Sequence, residues 1–180
     1  MPWTDSSPTS RVFAQALKNP LTESTQGTTN LALPTTYSTT GGILSDTINV
    51  ALFNNSVSPD ASAAVASTGF NTGTWTTTNE VTDATNWVSG GRALASKTFA
   101  LSGGSQTTAS TMAFAAANLA GGGTLTITNA YGCLVYDSTI TAGTVAKQGL
   151  CFNYFGGAQS VTAGTFTINW DATGIFKFTN

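Results

Sequence analysis

From Leu44 onward the chain adopts a period of two: apolar residues recur at alternate positions, in short runs cut by glycine pairs. Such a pattern builds strands and tight turns rather than long helices. In Asp46 to Phe53 the residues Ile48, Val50 and Leu52 share one face, with Asn49, Ala51 and Phe53 on the other. That strand is apolar on nearly both sides and belongs inside a sheet. Thr124 to Thr128 alternates strictly, with Leu125 and Ile127 inward and three threonines outward. Gly132 to Tyr136 and Leu150 to Phe155 are dense apolar runs that suit central strands, and Thr165 to Trp170 places Phe166, Ile168 and Trp170 together. Ile175 to Phe178 forms the last strand. Turn signals separate these runs at Gly90-Gly91, Gly103-Gly104, Gly121-Gly122-Gly123, Gly156-Gly157 and Gly164. Together they predict an all-β domain over 46–180, a β-sandwich or jelly-roll-like fold.

Residues 1–45 have a different character. Ser10 to Lys18 reads as a short helix capped by Thr9 or Ser10, with Val12, Phe13, Ala16 and Leu17 on one face and Pro20 ending it. From Leu21 to Leu44 the chain is rich in Thr, Ser, Gly and Pro, which reads as an extended arm. An arm tipped by an amphipathic helix needs a surface to lie on, either its own domain or a neighbouring subunit, so Val12, Phe13 and Leu17 are its candidate contacts.

Composition narrows the possible partners. The 180 residues are 41% hydrophobic and only 8% charged, against about 25% charged in an ordinary globular domain. Hydroxyl and amide side chains replace the charge. Net charge is -2, and no five-residue window gathers three Lys or Arg. Phosphate backbones and anionic membranes need such clusters, so neither nucleic acid nor membrane is an expected partner. No basic stretch leads into an apolar run at the N-terminus, and no segment approaches about 18 continuous apolar residues. The expectation is a soluble protein made in a cytoplasm.

The chemistry-bearing residues are few. There is no histidine, which removes Ser-His-Asp and Cys-His catalysis and the commonest general base near neutral pH. Nucleophile-elbow, P-loop and dinucleotide-binding patterns are absent. Of the eight acidic residues only Glu80 and Asp83 lie close together in the sequence. They are the candidates for a glycosidase-type carboxylate pair or a calcium ligand set, against the plainer reading of a solvated polar loop. No cofactor or metal is expected. Cys133 and Cys151 read as small buried hydrophobes, with a disulfide open to them if their strands pair in a suitable register. Asn54-Asn55-Ser56 matches the glycosylation acceptor, which carries no meaning without an export signal. Trp75 and Trp87 stand in Thr- and Asn-rich stretches, where they either pack the domain or face a subunit, or else stack on a sugar.

Several motifs occur in one order: Val50-Ala51-Leu52-Phe53-Asn54-Asn55-Ser56 through Pro59-Asp60, Asn79-Glu80-Val81, Gly90-Gly91-Arg92-Ala93-Leu94 and Val135-Tyr136-Asp137. Asn153-Tyr154-Phe155-Gly156-Gly157 follows, then Ser160 to Thr167, and the series closes with Trp170 and Gly174-Ile175. In this order they resemble a family of small virion structural proteins of tailed bacteriophages, described as minor capsid or head-decoration proteins. The resemblance spans about residues 46 to 178; the long Thr-rich stretch before Ile48 departs from it. It implies a non-enzymatic protein on the outer surface of the head, bound to the lattice of the major capsid protein, with no catalytic residue to transfer. A cyclic homo-oligomer, a trimer by preference, is the expected assembly. The alternative is a tail-associated or fibre-like protein that contacts host glycans through Trp75 and Trp87.

Overall fold

The structure, a computed structural model, describes residues 11–12, 43–102, 111–143 and 145–179. Its regular elements are strands, apart from one 3-10 turn at Val65–Ser67. In chain order the strands are β1 (Arg11–Val12), β2 (Ile48–Phe53), β3 (Glu80–Val81), β4 (Arg92–Ala93), β5 (Thr98–Ser102) and β6 (Thr111–Ala115). Next come β7 (Leu119–Ala120), β8 (Leu125–Asp137), β9 (Gly149–Gly164), β10 (Thr167–Ile168) and β11 (Phe176–Thr179).

The main sheet has the order β1-β9-β8-β2, with β3 and β4 sharing the far edge of β2, and every pairing in it is antiparallel. The dense apolar runs noted above become its centre: β2 ladders with the second half of β8 from Ile48↔Asp137 to Phe53↔Gly132. A second antiparallel sheet runs β11-β6-β5, and β7 pairs with β10. Phe99, Phe114 and Phe176 stand opposite one another across that second sheet.

Because β2 is apolar on both sides, the sheet buries both of its faces. On one, Ile48, Val50 and Leu52 join Cys133, Val135 and Cys151, and the cluster extends to Phe114, Leu119, Ile168 and Ile175 from the other sheets. On the other, Ala51 and Phe53 join Leu134, Tyr136 and Phe152 beneath Val57, Phe70 and Trp75. At the lower end of β8 the expected alternation holds: Leu125 and Ile127 are buried and Thr124, Thr126 and Thr128 are exposed.

β8 and β9 are longer than the sequence pattern indicates, because they continue past their glycines by bulging. Tyr154 stands opposite Gly132 and Gln159 opposite Ala130, so β9 carries extra residues between them. Gly156 and Gly157, at φ of 83° and 149°, turn the backbone through this bulge.

The helix expected from Ser10 to Lys18 does not include its first turn. Arg11 and Val12 are extended and pair with Phe152 and Cys151 at the edge of β9. A short helix is marginal in water, whereas an open sheet edge supplies ready partners for backbone N–H and C=O groups. The remainder of that segment, with Phe13 and Leu17, and most of the arm lie outside the described residues.

Candidate functional site

Four groups of polar or aromatic side chains could carry chemistry or recognition, and the fold positions each of them differently. The first is the Glu80–Asp83 loop. Glu80, on β3, is half-buried and accepts the Ser89 hydroxyl at 2.6 Å and the Gly90 N–H at 2.7 Å. Burial pushes its carboxyl above the ordinary value, against the opposing effect of those two bonds and the Lys147 charge. Asp83 has a different set of partners. Its Oδ1 accepts the N–H groups of Asn86 at 2.8 Å and Thr85 at 3.0 Å, and its Oδ2 accepts that of Thr126 at 3.1 Å. These three N–H groups, Asn86 foremost, hold its carboxyl below the usual range. The two carboxylates thus hold different groups: Glu80 binds Ser89 and Gly90, and Asp83 binds Thr85, Asn86 and Thr126.

The second group is the turn at Gly90-Gly91. Tyr136, rising from β8, donates its hydroxyl to the Gly90 carbonyl at 2.7 Å, and Asn49 Nδ2 donates to the same carbonyl at 3.2 Å. Gly91 has φ of 72°, and a Cβ there would lie 1.9 Å from the Val50 carbonyl oxygen, so only glycine lets the turn lie against β2. Glu80 and Tyr136 thus grip the turn from two sides. Glu80 holds the Gly90 N–H and the Ser89 hydroxyl, and Tyr136 holds the Gly90 carbonyl.

The tryptophans are the third group, and both are core residues. Trp75 is 1% exposed and packs edge-on to Phe53 at 5.1 Å and against Phe152 at 5.8 Å. Trp87 is fully buried, edge-on to Phe166 at 5.7 Å, with the Arg92 guanidinium 5.9 Å from its ring centroid. Neither ring offers a free face to a sugar, and of the readings drawn from the sequence both take the packing one. Their Thr- and Asn-rich surroundings are turns folded down over the sheet, which is why loop composition concealed their burial.

The fourth group is one that the sequence order hides. The pairing of β2 with β8 brings Asp46, just before β2, against Asp137, the last residue of β8. Asp137 is wholly buried; its Oδ1 accepts the Thr139 N–H at 2.8 Å, while Oδ2 has no donor. Burial, with the Asp46 carboxylate adding to it, raises the Asp137 carboxyl to about 6. The turn after β8 is stitched to the residue before β2: Thr47 N–H donates to Thr139 Oγ1 at 2.8 Å, and the Ser138 N–H and hydroxyl donate to the Thr47 carbonyl at 2.9 and 2.7 Å. Lys97 donates its ammonium to the Asp46 carbonyl. The signal that could have found this pair was the register of two apolar strands, which a single sequence does not fix.

Cys133 and Cys151 lie on neighbouring strands of one face, yet they are free. The register explains it: Cys133 stands opposite Asn153 and Cys151 opposite Val135, which makes the thiols diagonal neighbours, and diagonal Cα atoms lie about 7–8 Å apart, beyond disulfide reach. Burial pushes the Cys133 thiol up to about 12, and Cys151 is raised as well.

Among the described residues no group of three or more acidic or cysteine side chains is placed to hold a metal ion. Among the described residues no helix is long and apolar enough to cross a membrane. No protein-family model, curated protein or solved structure matches this chain.

Proposed function

We propose that the protein is a structural, non-enzymatic component of a tailed-bacteriophage particle, a head-decoration or minor capsid protein that sits on the outer surface of the head and binds the major capsid lattice. The proposed architecture is a β-sandwich of jelly-roll type, formed by the main sheet and the β5-β6-β11 sheet over their common core. The observation that carries the functional reading is how the polar groups are used. Glu80, Asp83 and Tyr136 spend their hydrogen bonds on turns, as do Asn49 Nδ2 and the Asp137 Oδ1. What faces water on β8 is the hydroxyl row Thr124, Thr126 and Thr128. A protein packed in many copies on a shell needs stability and a surface that does not repel its neighbours. A sparsely charged, hydroxyl-bearing domain meets both needs, and the resemblance of the ordered motifs to small phage virion proteins points the same way.

In this reading the chain acts as a homo-oligomer, with a trimer favoured, and the segment before Ile48 ties one subunit to the next or to the lattice. Trp75 and Trp87 are buried, which supports the head over the glycan-binding tail alternative in this reading. Antibody labelling and direct imaging of purified particles test the proposal. Density for the domain on the outer face of the head is the expected result; a position on the tail, or absence from the particle, overturns it. Deleting residues 1–44 is expected to lower occupancy on particles severalfold, and unchanged occupancy would remove the role given to the arm.

A further inference from the structure

We propose that the Asp46–Asp137 carboxyl pair is a proton-operated latch, closing the seam between the start of β2 and the turn after β8 when the two groups share a proton and loosening it when both are ionised. The argument begins with placement. Asp137 is fully buried at the end of β8, where its Oδ1 is occupied by the Thr139 N–H and its Oδ2 lacks any donor. The group against it is the Asp46 carboxyl. Two carboxylates in contact are both acceptors, so without a proton they repel; with one they form a single O–H···O bond that also satisfies Oδ2.

The surroundings decide where the proton sits. Besides Asp46, the charged group that reaches the seam is Lys97, whose ammonium is bonded to the Asp46 carbonyl. Asp137 is the buried member of the pair, and burial disfavours its charged form, so the shared proton belongs to Asp137. The remaining partners are neutral: Thr47, Ser138 and Thr139 carry the three stitching hydrogen bonds, and the Asp137 N–H goes to the Gln148 carbonyl. Gln148 also brings a buried side-chain amide whose Nε2 has no acceptor, but it carries no charge and does not titrate.

The position gives the latch its consequence. Asp46 and Thr47 are the last residues before β2 enters the main sheet, so the seam controls how firmly the preceding segment is held at that point. A neutral exterior loosens the attachment and acid tightens it. The inference stands on the fold alone and does not require the virion reading.

The sign follows from the raised Asp137 carboxyl. Between about pH 4, where an unfolded Asp titrates, and about pH 6, the folded chain holds more protons than the unfolded one. Stability contributed by this group is therefore greatest in acid and falls as pH rises through that window.

The test is amide hydrogen exchange on the full chain at pH 5 and pH 7.5, corrected for intrinsic rates, with Thr47, Ser138 and Thr139 as reporters and β6 amides as the remote control. The expected result is opening at the three reporters at least about tenfold more frequent at pH 7.5, a factor equivalent to one pKa unit, with β6 unchanged. Asp137→Asn, which offers Asp46 a permanent donor, is expected to abolish the pH difference, and Asp46→Asn to reduce it. Reporters that open equally at both pH values in the unaltered chain overturn the proposal, as does a pH difference that survives in Asp137→Asn. If millimolar calcium closes the reporters at pH 7.5 in the unaltered chain as fully as acid does, the pair is a cation site and the latch is wrong. Should Asp137→Asn fail to fold, the Asp46→Asn chain and the calcium arm still decide the matter.

Discussion

The two faces of β2 bury their side chains by different means. Behind Ile48, Val50 and Leu52 the cover comes mainly from strands, with Phe114, Ile168 and Ile175 carried on or beside the other sheets and Trp87 supplied by a turn. Behind Ala51 and Phe53, among the described residues, no strand covers the sheet. The cover is the segment between β2 and β3, whose Val57, Phe70 and Trp75 are held in place by turns. Trp75 N–H donates to the Thr72 carbonyl and Asn71 N–H to the Trp75 carbonyl, while Phe70 N–H reaches the Lys147 carbonyl near the start of β9. On both faces the apolar side chains of β2 are fully buried. A sheet face can thus be sealed by a ladder of long-range pairings or by a coil whose backbone groups are satisfied within a few residues, provided that each contributes one large aromatic.

The largest expected effects come from removing those aromatics. Trp87→Ala and Trp75→Ala should each lower unfolding free energy by about 3–5 kcal/mol in urea titrations, the usual cost of deleting a buried indole. Because a coil has fewer distant contacts to hold it, Trp75→Ala should lose order in residues 54–79 before the main sheet unfolds, seen as early exchange of those amides. A single concerted transition in both variants would dissolve the contrast between the faces.

Smaller effects come from the turn that Tyr136 and Glu80 hold against β2. Gly91→Ala forces a Cβ to within 1.9 Å of the Val50 carbonyl oxygen, at a φ of 72°, and should cost about 2–3 kcal/mol. Gly156→Ala meets open space at a φ of 83°, so it should cost only the left-handed penalty of about 1 kcal/mol. Equal losses would mean that backbone conformation, and not the close approach to β2, makes Gly91 necessary. Tyr136→Phe removes one of two donors to the Gly90 carbonyl and should cost about 1 kcal/mol, read as a shift in urea midpoint with unchanged slope.

Much of the strand-lined face was legible in the sequence, and little of the coil-lined one. Ile48, Val50 and Leu52, the Leu125–Ile127 alternation and the Phe166–Ile168–Trp170 row all declare themselves by period two, because a strand writes its burial into every second residue. The segment 54–79 has no period. Trp75 sits there among Thr, Gly and Asn residues that turn the chain, and polar turn chemistry is indistinguishable in sequence from an exposed loop. Glu80 and Asp83 are close in sequence and point to different partners, whereas Asp46 and Asp137 are remote in sequence and meet. Proximity in sequence was a poor guide in both cases, since the register of β2 on β8 decides the second and the turn geometry decides the first. The expected helix failed at Arg11 and Val12 for a related reason: helical spacing marks a face but does not report that a sheet edge is available to compete for it.

The smallest perturbation uses the cysteines as reporters of one face only. Cys133 and Cys151 both belong to the strand-lined cluster, with Cys133 raised to about 12 by burial. At pH 8 on the order of one thiol in ten thousand is then ionised, so a thiol reagent should label the folded chain only as fast as that face opens. Trp75 lies behind the opposite face. If the two covers act independently, Trp75→Ala should leave thiol labelling near the rate of the unaltered chain at low denaturant, while Trp87→Ala accelerates it by orders of magnitude. If both variants accelerate labelling equally, the coil-lined face is no local cap: its opening would then be the opening of the main sheet, and the cooperativity of the fold would run through β2 from one side to the other.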